Sequence, residues 1–307
     1  VAVAVAIDLF AGLGGWTLGA SWAGVRVLWA ANHSPDAVRY HALNHPDTAH
    51  VCQDLRQADW RQAPRADILL ASPCCQGHTH ARGKDLPHHD ASRSTAWAVV
   101  DALDCLRCEV AVVENVPEFT RWVLYPVWEQ ALRTLGYSLT PLVLDAADAG
   151  VPQNRVRLFV VATRSRHAVP LHLAPAGQEP ARSIIEWERH PWSPVHRPGR
   201  SARTLARIER ARRDLGTRFV MPYYGSGSGL TGRSIDRPLG TLTTRARWGV
   251  VDGDRMRMLA PSEALRAMSF PTDYRIPADL ASANRMIGNA VCPLQAKAVL
   301  ASVLEAA

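Results

Sequence analysis

The sequence predicts an α/β protein, a Rossmann-like sheet with a smaller domain appended, and three observations predict it. First, an apolar opening run, 1–7, ends on Asp8; a glycine-bearing turn then leads into the helical pattern Trp16, Leu18, Trp22 and a second apolar run, 25–31. That is the front half of a dinucleotide-type unit. Second, Ile68-Leu69-Leu70-Ala71 and Val110-Ala111-Val112-Val113 are wholly apolar, as strands covered on both faces must be. Third, 307 residues with 47% hydrophobic content can bury one large core or two modest ones.

Taken in order, the 1–7 run is short and has no basic region before it, so it reads as a buried strand and not as a signal peptide. No stretch is expected to approach a membrane span. Residues 77–94 are polar with few apolar anchors and read as a lid between the 68–71 strand and a helix over 97–106. A strand is expected over 158–162. The sequence then turns Pro- and Arg-rich from Arg164 to Arg200, which places a domain boundary near 165. A helix over 201–215 is capped by Ser201 and ended by Gly216, with Leu205, Ile208 and Leu215 on one side and Arg203, Arg207 and Arg210 on another. Tyr223 and Tyr224 precede a glycine-serine run that lets backbone approach another surface while the rings offer stacking planes. A last helix is expected over 293–304. The domains are therefore read as 1–164, 165–260 and 261–307.

The formal charge of +7 and pI near 9.4 favour a polyanionic partner. Lysine occurs only at 84 and 297, so the positive charge is guanidinium, suited to bidentate contacts with phosphate and guanine. An Arg- and Ala-heavy composition follows equally from a GC-rich genome. Six cysteines in a chain this long do not make a secreted disulfide scaffold, and a reducing cytoplasm is the simplest compartment. Cys105 and Cys108 form one C-x-x-C without a second pair and fall in a helical pattern; His78, His80, His88 and His89 fall in the lid, so no metal is expected.

The segment Ser72-Pro73-Cys74-Cys75-Gln76 places a thiol at the carboxyl end of the 68–71 strand, and Glu114-Asn115-Val116 follows the 110–113 strand onto the same edge. Either cysteine alone reads more readily as a small buried hydrophobe. Together, a thiol and a carboxylate suit attack on cytosine. A thiolate adding to C6, with a carboxyl group at N3, turns C5 into the nucleophilic carbon of an enamine.

The chain also carries Asp8-Leu9-Phe10-Ala11-Gly12-Leu13-Gly14-Gly15, Gln153-Asn154-Arg155-Val156-Arg157 and Gly288-Asn289-Ala290-Val291. These blocks, in this order, resemble the C5-cytosine DNA methyltransferases over nearly the whole chain. The resemblance implies a Rossmann-like S-adenosylmethionine-dependent sheet with a target-recognition domain, and a last helix that returns beside the first strand. It implies Cys75 as nucleophile, Glu114 as the N3 partner, and Arg157 at the flipped base with Arg155 beside it. Gln76 matches the glutamine after the family's catalytic cysteine, which selects Cys75 over Cys74. Cofactor contacts are expected from Asp8, Phe10, Gly12, Gly14, Asn32, His33, Asp54, Leu55, Pro73, Asn289 and Val291. Contacts with DNA are expected from Gln76, Thr79, Arg82, Arg203, Arg207, Arg210, Tyr223, Tyr224, Arg233 and Arg237.

The family carries an acidic residue at the end of the second strand, where it grips the ribose; here Asn32 and His33 stand there. A neutral imidazole accepts only one such bond. The expected partner is double-stranded DNA, with no membrane, a monomeric state and a separate cognate restriction endonuclease. Two other functions share these motifs: transfer-RNA cytosine-5 methylation, against which the long 165–236 segment weighs, and a DNA-binding homologue with weakened catalysis, against which the retained Cys75, Glu114, Arg155, Arg157 and Asn289 weigh.

Overall fold

The computed structural model describes residues 3–74, 94–223 and 232–306. The chain divides into two compact units, one of residues 1–145, 156–174 and 290–307, the other of 146–155 and 175–289. Among the described residues the helices are α1 (Gly15–Trp22), α2 (Pro35–Asn44), α3 (Trp97–Leu106), α4 (Tyr125–Thr134), α5 (Ala202–Leu215), α6 (Pro261–Ala267), α7 (Leu280–Asn289) and α8 (Pro293–Ala306).

In the first unit β1 (Val5–Leu9), β2 (Arg26–Asn32), β3 (Ala49–Cys52), β4 (Ile68–Ala71), β5 (Val110–Asn115), β6 (Ser138–Asp145) and β7 (Val156–Thr163) form one sheet in the order β3-β2-β1-β4-β5-β7-β6. The first five strands are parallel, and β7 runs antiparallel to both its neighbours. Side chains alternate between faces along each strand. Ile7, Leu9, Leu69, Ala71, Val113 and Val160 bury one face against α3 and α4. Ala6, Leu70, Val112, Phe159 and Val161 bury the other against Trp16 and Ala20 of α1 and Ala296, Val299 and Val303 of α8. The C-terminal helix therefore lies with the first strand.

Glycine sets how closely α1 and α8 approach. A methyl group at Gly19 would stand 2.6 Å from the Cβ of Ala296 and 2.6 Å from the carbonyl oxygen of Pro293, and one at Gly15 would collide with the Val291 backbone.

In the second unit β8 (Ser193–Pro194), β9 (Arg218–Pro222), β10 (Arg233–Ser234), β11 (Trp248–Asp252) and β12 (Arg255–Met258) form an antiparallel sheet in the order β10-β9-β11-β12-β8. The amphipathic α5 lays Ile208 and Ala211 on Phe219, Met221, Val251 and Met256. Ser201 caps this helix by accepting from the Thr204 amide at 3.2 Å. The buried Glu263 receives both Arg257 guanidinium nitrogens at 2.7 and 2.6 Å and the amides of Glu186 and Ala260, so its charge is fully met.

Several expectations shift. The first strand begins at Val5, where pairing with β2 begins, and β5 and β7 are longer than their apolar cores because Glu114 and Asn115 pair with Phe159 and Leu158. The unit boundaries fall at 174/175 and 289/290 rather than at 164 and 260, since 165–174 packs Leu171 and Leu173 on the α1–α8 core and α6 and α7 belong to the second unit. Residues 146–155 also belong to that unit. The run 280–306 is long and apolar enough to cross a membrane by composition, with mean hydropathy 1.4 in an 18-residue window; it is broken between α7 and α8, and that window is 67% buried, as core helices are.

Gly19→Val is expected to force α1 from α8 and lower stability by ~1–3 kcal/mol, the usual cost of overpacking. The urea unfolding midpoint checks it, and an unchanged midpoint contradicts the close approach.

Candidate active site

The β4 exit turn is pinned at three points. The Ser72 amide donates to the Leu9 carbonyl at 3.2 Å, the Trp16 indole donates to the Ser72 hydroxyl at 2.9 Å, and the Cys74 amide donates to the Thr95 hydroxyl at 3.0 Å. Cys75, Gln76, Thr79 and Arg82, and the histidines at 78, 80, 88 and 89, lie outside the described residues, as does Tyr224. The turn is described to Cys74, one residue short of the expected nucleophile.

Beside it stands the end of β5. Ala71 pairs with Val113, so Glu114 and Asn115 continue level with the turn. The Asn115 amide donates to the Pro73 carbonyl at 3.2 Å and its oxygen accepts from the Val116 amide at 2.9 Å. Asparagine at this place joins the two chain segments, a function the sequence reading did not assign. Glu114 is largely buried, and its Oε1 meets the Arg157 Nε at 3.0 Å, with both side chains only 10% and 14% exposed. By strand alternation Asp8, Glu114 and Arg157 share the face of the sheet that carries Ala6, Val112 and Phe159.

Arg155 goes elsewhere. It is buried in the second unit and donates to the carbonyls of Leu242 at 3.2 Å and Gly288 at 2.9 Å. Gln153 accepts from the Leu242 amide at 2.6 Å and donates to the Ala267 carbonyl at 3.1 Å. The expectation of Arg155 beside Arg157 at the base is corrected: Arg155 precedes β7, outside its ladder, and its guanidinium braces backbone of the second unit.

Where cofactor contacts are expected, Phe10 has φ 61° and Gly14 φ 96°, so the turn after β1 is held in left-handed conformations. A Cβ built on Gly12 meets nothing within 4 Å, leaving open space beside the backbone. The Asn32 amide is committed within the protein: its nitrogen donates to the Ala11 carbonyl at 3.1 Å and its oxygen accepts from the Ser34 amide at 2.9 Å. His33 and Asp36 are exposed at the tip of β2. Asp54 caps the following turn and is bridged by Arg56, with an Arg56 Nη2 to Oδ2 distance of 2.6 Å; that hydrogen bond holds its carboxyl below the usual range. Leu55, Pro73 and Val291 are buried, and Asn289 is exposed at the end of α7.

Among the arginines expected at DNA, Arg203, Arg210 and Arg237 are exposed. Arg207 and Arg233 are half-buried. Arg207 donates to the Pro222 carbonyl at 2.6 Å and lies over the Tyr223 ring, whose hydroxyl pKa burial raises; Arg233 lies over Trp248. The single exposed stripe on α5 is thus corrected to Arg203 and Arg210, because Arg207 bends back to β9.

The family model for C-5 cytosine-specific DNA methylase matches residues 5–184 and 196–305. The chain is 29% identical to the type II methyltransferase M.NlaX of Neisseria lactamica, over 93% of this chain and 91% of that one, and 24% identical to M.HhaI of Haemophilus parahaemolyticus, over 93% and 89%. The fold is shared with the Entamoeba histolytica methyltransferase EhMeth (TM-score 0.71, 15% identity, 99% of both chains) and the S. pombe Dnmt2 methyltransferase (TM-score 0.68, 17% identity, 98% of both). With its glycine turn, thiol turn and carboxylate on one sheet edge, the chain belongs to the C-5 cytosine-specific DNA methylases, S-adenosylmethionine-dependent enzymes.

Proposed function

We propose that this chain methylates carbon 5 of a cytosine extruded from duplex DNA, through a transient bond between the Cys75 sulfur and carbon 6. The Glu114–Arg157 pair beside the pinned turn is the observation that carries this reading. It supplies a carboxyl group held in one rotamer, next to the turn that leads to the thiol.

In this reading the thiolate adds to C6, and Glu114 meets the ring at N3 so that electron density reaches C5. When bound, S-adenosylmethionine would supply the electrophilic methyl group that C5 takes up from its sulfonium sulfur. Loss of the C5 proton then restores the C5–C6 double bond and expels the Cys75 thiolate. Arg157 keeps the Glu114 carboxylate aimed and offers a further donor to the base. The target carbon is out of reach in a stacked duplex, so the base must be turned out at a cost of a few kcal/mol.

The turn from Phe10 to Gly14 fits the cofactor, since open space lies beside Gly12. Asp54 would take the adenine amino group, and His33 with Asp36 would stand where a carboxylate usually accepts the ribose hydroxyls. The second unit would carry target recognition, with Arg203, Arg210 and Arg237 toward phosphate. Protective methylation by a cytoplasmic monomer, alone or beside a separate restriction endonuclease, is the role this gives.

Duplex DNA of mixed sequence containing 5-fluorocytosine tests the nucleophile, because fluorine at C5 cannot be lost as a proton and the adduct persists. With cofactor present, intact-mass analysis should find one covalent complex, mapped to Cys75. Cys75→Ser should lose adduct and transfer while binding DNA, and Cys74→Ala should keep both; an adduct through Cys74 refutes the assignment. Glu114→Gln should slow single-turnover methylation by ~10²–10⁴-fold, the range of general acid-base contributions. Near wild-type turnover removes its role. With labelled cofactor, duplex DNA should accept methyl groups and transfer RNA should not.

A further inference from the structure

A buried hydrogen-bond chain lies behind the glycine turn, and none of the chemistry above uses it. Thr17, in the first turn of α1, donates its hydroxyl proton to Asp8 Oδ2 at 2.9 Å. The bond joins residues nine positions apart and closes a turn that contains both left-handed positions, Phe10 and Gly14. Having given its one proton to Asp8, the Thr17 oxygen must accept from His41 Nε2, 3.0 Å away. A proton therefore sits on His41 Nε2. His41 Nδ1 lies 2.8 Å from His50 Nε2 of β3, so in the neutral state donors point in one direction, from His50 through His41 and Thr17 to Asp8.

His45 extends the device. Its ring packs on His41 at 4.7 Å between centroids, and it hydrogen-bonds to the backbone of Gly14. Asp8, Thr17 and His41 are all at most 5% exposed, and Asp8 Oδ1 has no partner among the described residues. The titratable groups facing this cluster are Asp8 of β1, His41 of α2 and His50 of β3. Burial, then His41 and His50, push the His45 pKa down to about 3, which keeps the ring neutral. Burial and His41 also lower that of His50.

We propose that Thr17, His41 and His45 are positioning residues that hold the turn from Phe10 to Gly14 in the shape that receives the cofactor. Thr17 ties the exit of the turn to its entry at Asp8. His41 locks the Thr17 rotamer, and His45 holds Gly14. The inference rests on the reading of that turn as the cofactor cradle, and it assigns affinity, not the chemical step, to these three side chains.

Titration calorimetry with S-adenosylhomocysteine tests it without turnover. Thr17→Val removes the hydroxyl at nearly constant volume and should weaken binding ~10-fold or more, as loss of a buried, charge-linked hydrogen bond does. Thr17→Ser restores the hydroxyl and should bind within ~3-fold of wild type, less than one hydrogen bond's worth. The KM for S-adenosylmethionine should rise with the dissociation constant, while the single-turnover rate at saturating cofactor stays near wild type. Wild-type affinity in Thr17→Val, a Thr17→Ser variant as weak as Thr17→Val, or a fall in rate with unchanged KM overturns the proposal. Should Thr17→Val fail to fold, His45→Leu carries the test, with weakened binding expected and wild-type binding contradicting it. A wild-type protein that binds no cofactor overturns the cradle reading itself, whereas wild-type binding unaffected by these variants overturns only the positioning role.

Discussion

The reversed direction of β7 is the constraint on which the site depends. Because β7 runs antiparallel to β5, its first residues lie at the last residues of β5, and Arg157 arrives diagonally across from Glu114 on the same face. A parallel strand would begin at the opposite edge of the sheet and carry the arginine the length of a strand away. Neither side chain is placed by a loop: Glu114 is paired with Phe159 of β7, and Arg157 with Leu144 of β6. A carboxylate with about a tenth of its side chain exposed needs such a partner, since an unpaired buried charge is costly.

The same edge is tied together by short contacts between successive strand exits. Leu9 of β1 accepts from Ser72 beyond β4, and Asn115 of β5 reaches back to Pro73. The turn after β1, the turn after β4 and the carboxylate are therefore tied to one another by a backbone bond and by the Asn115 side chain. Glycine permits the remaining approach, since Gly15 leaves room for the Val291 backbone and Gly19 for α8.

Much of this was legible in the residues. Apolar runs bounded by chemistry-bearing tripeptides located β4 and β5, and a serine before and a glycine after located α5 to the residue. What stayed hidden depends on long-range pairing. The extension of β5 through Asn115 requires β7 as a partner, and no local pattern announces it. Arg155 and Arg157 are equivalent in the sequence; only the point where β7 begins, at Val156, separates the first, which bonds Leu242 and Gly288, from the second, which meets Glu114. Arg207 likewise looks like its neighbours on α5 until β9 supplies a carbonyl for it. The histidines at 41, 45 and 50 carry a helical spacing and a strand position, but their convergence on Asp8 and Gly14 exists only once β2 has brought β1, α2 and β3 together.

A double-mutant cycle on Glu114 and Arg157, read as single-turnover methylation rates at saturating cofactor and DNA, addresses the central claim most directly. If Arg157 acts in part by aiming the Glu114 carboxylate, Arg157→Gln should cost markedly more in the wild-type background than in Glu114→Gln, with a coupling of ~1–3 kcal/mol. Strictly additive effects would mean that the two residues act independently, and the antiparallel pairing would then be architecture without catalytic consequence.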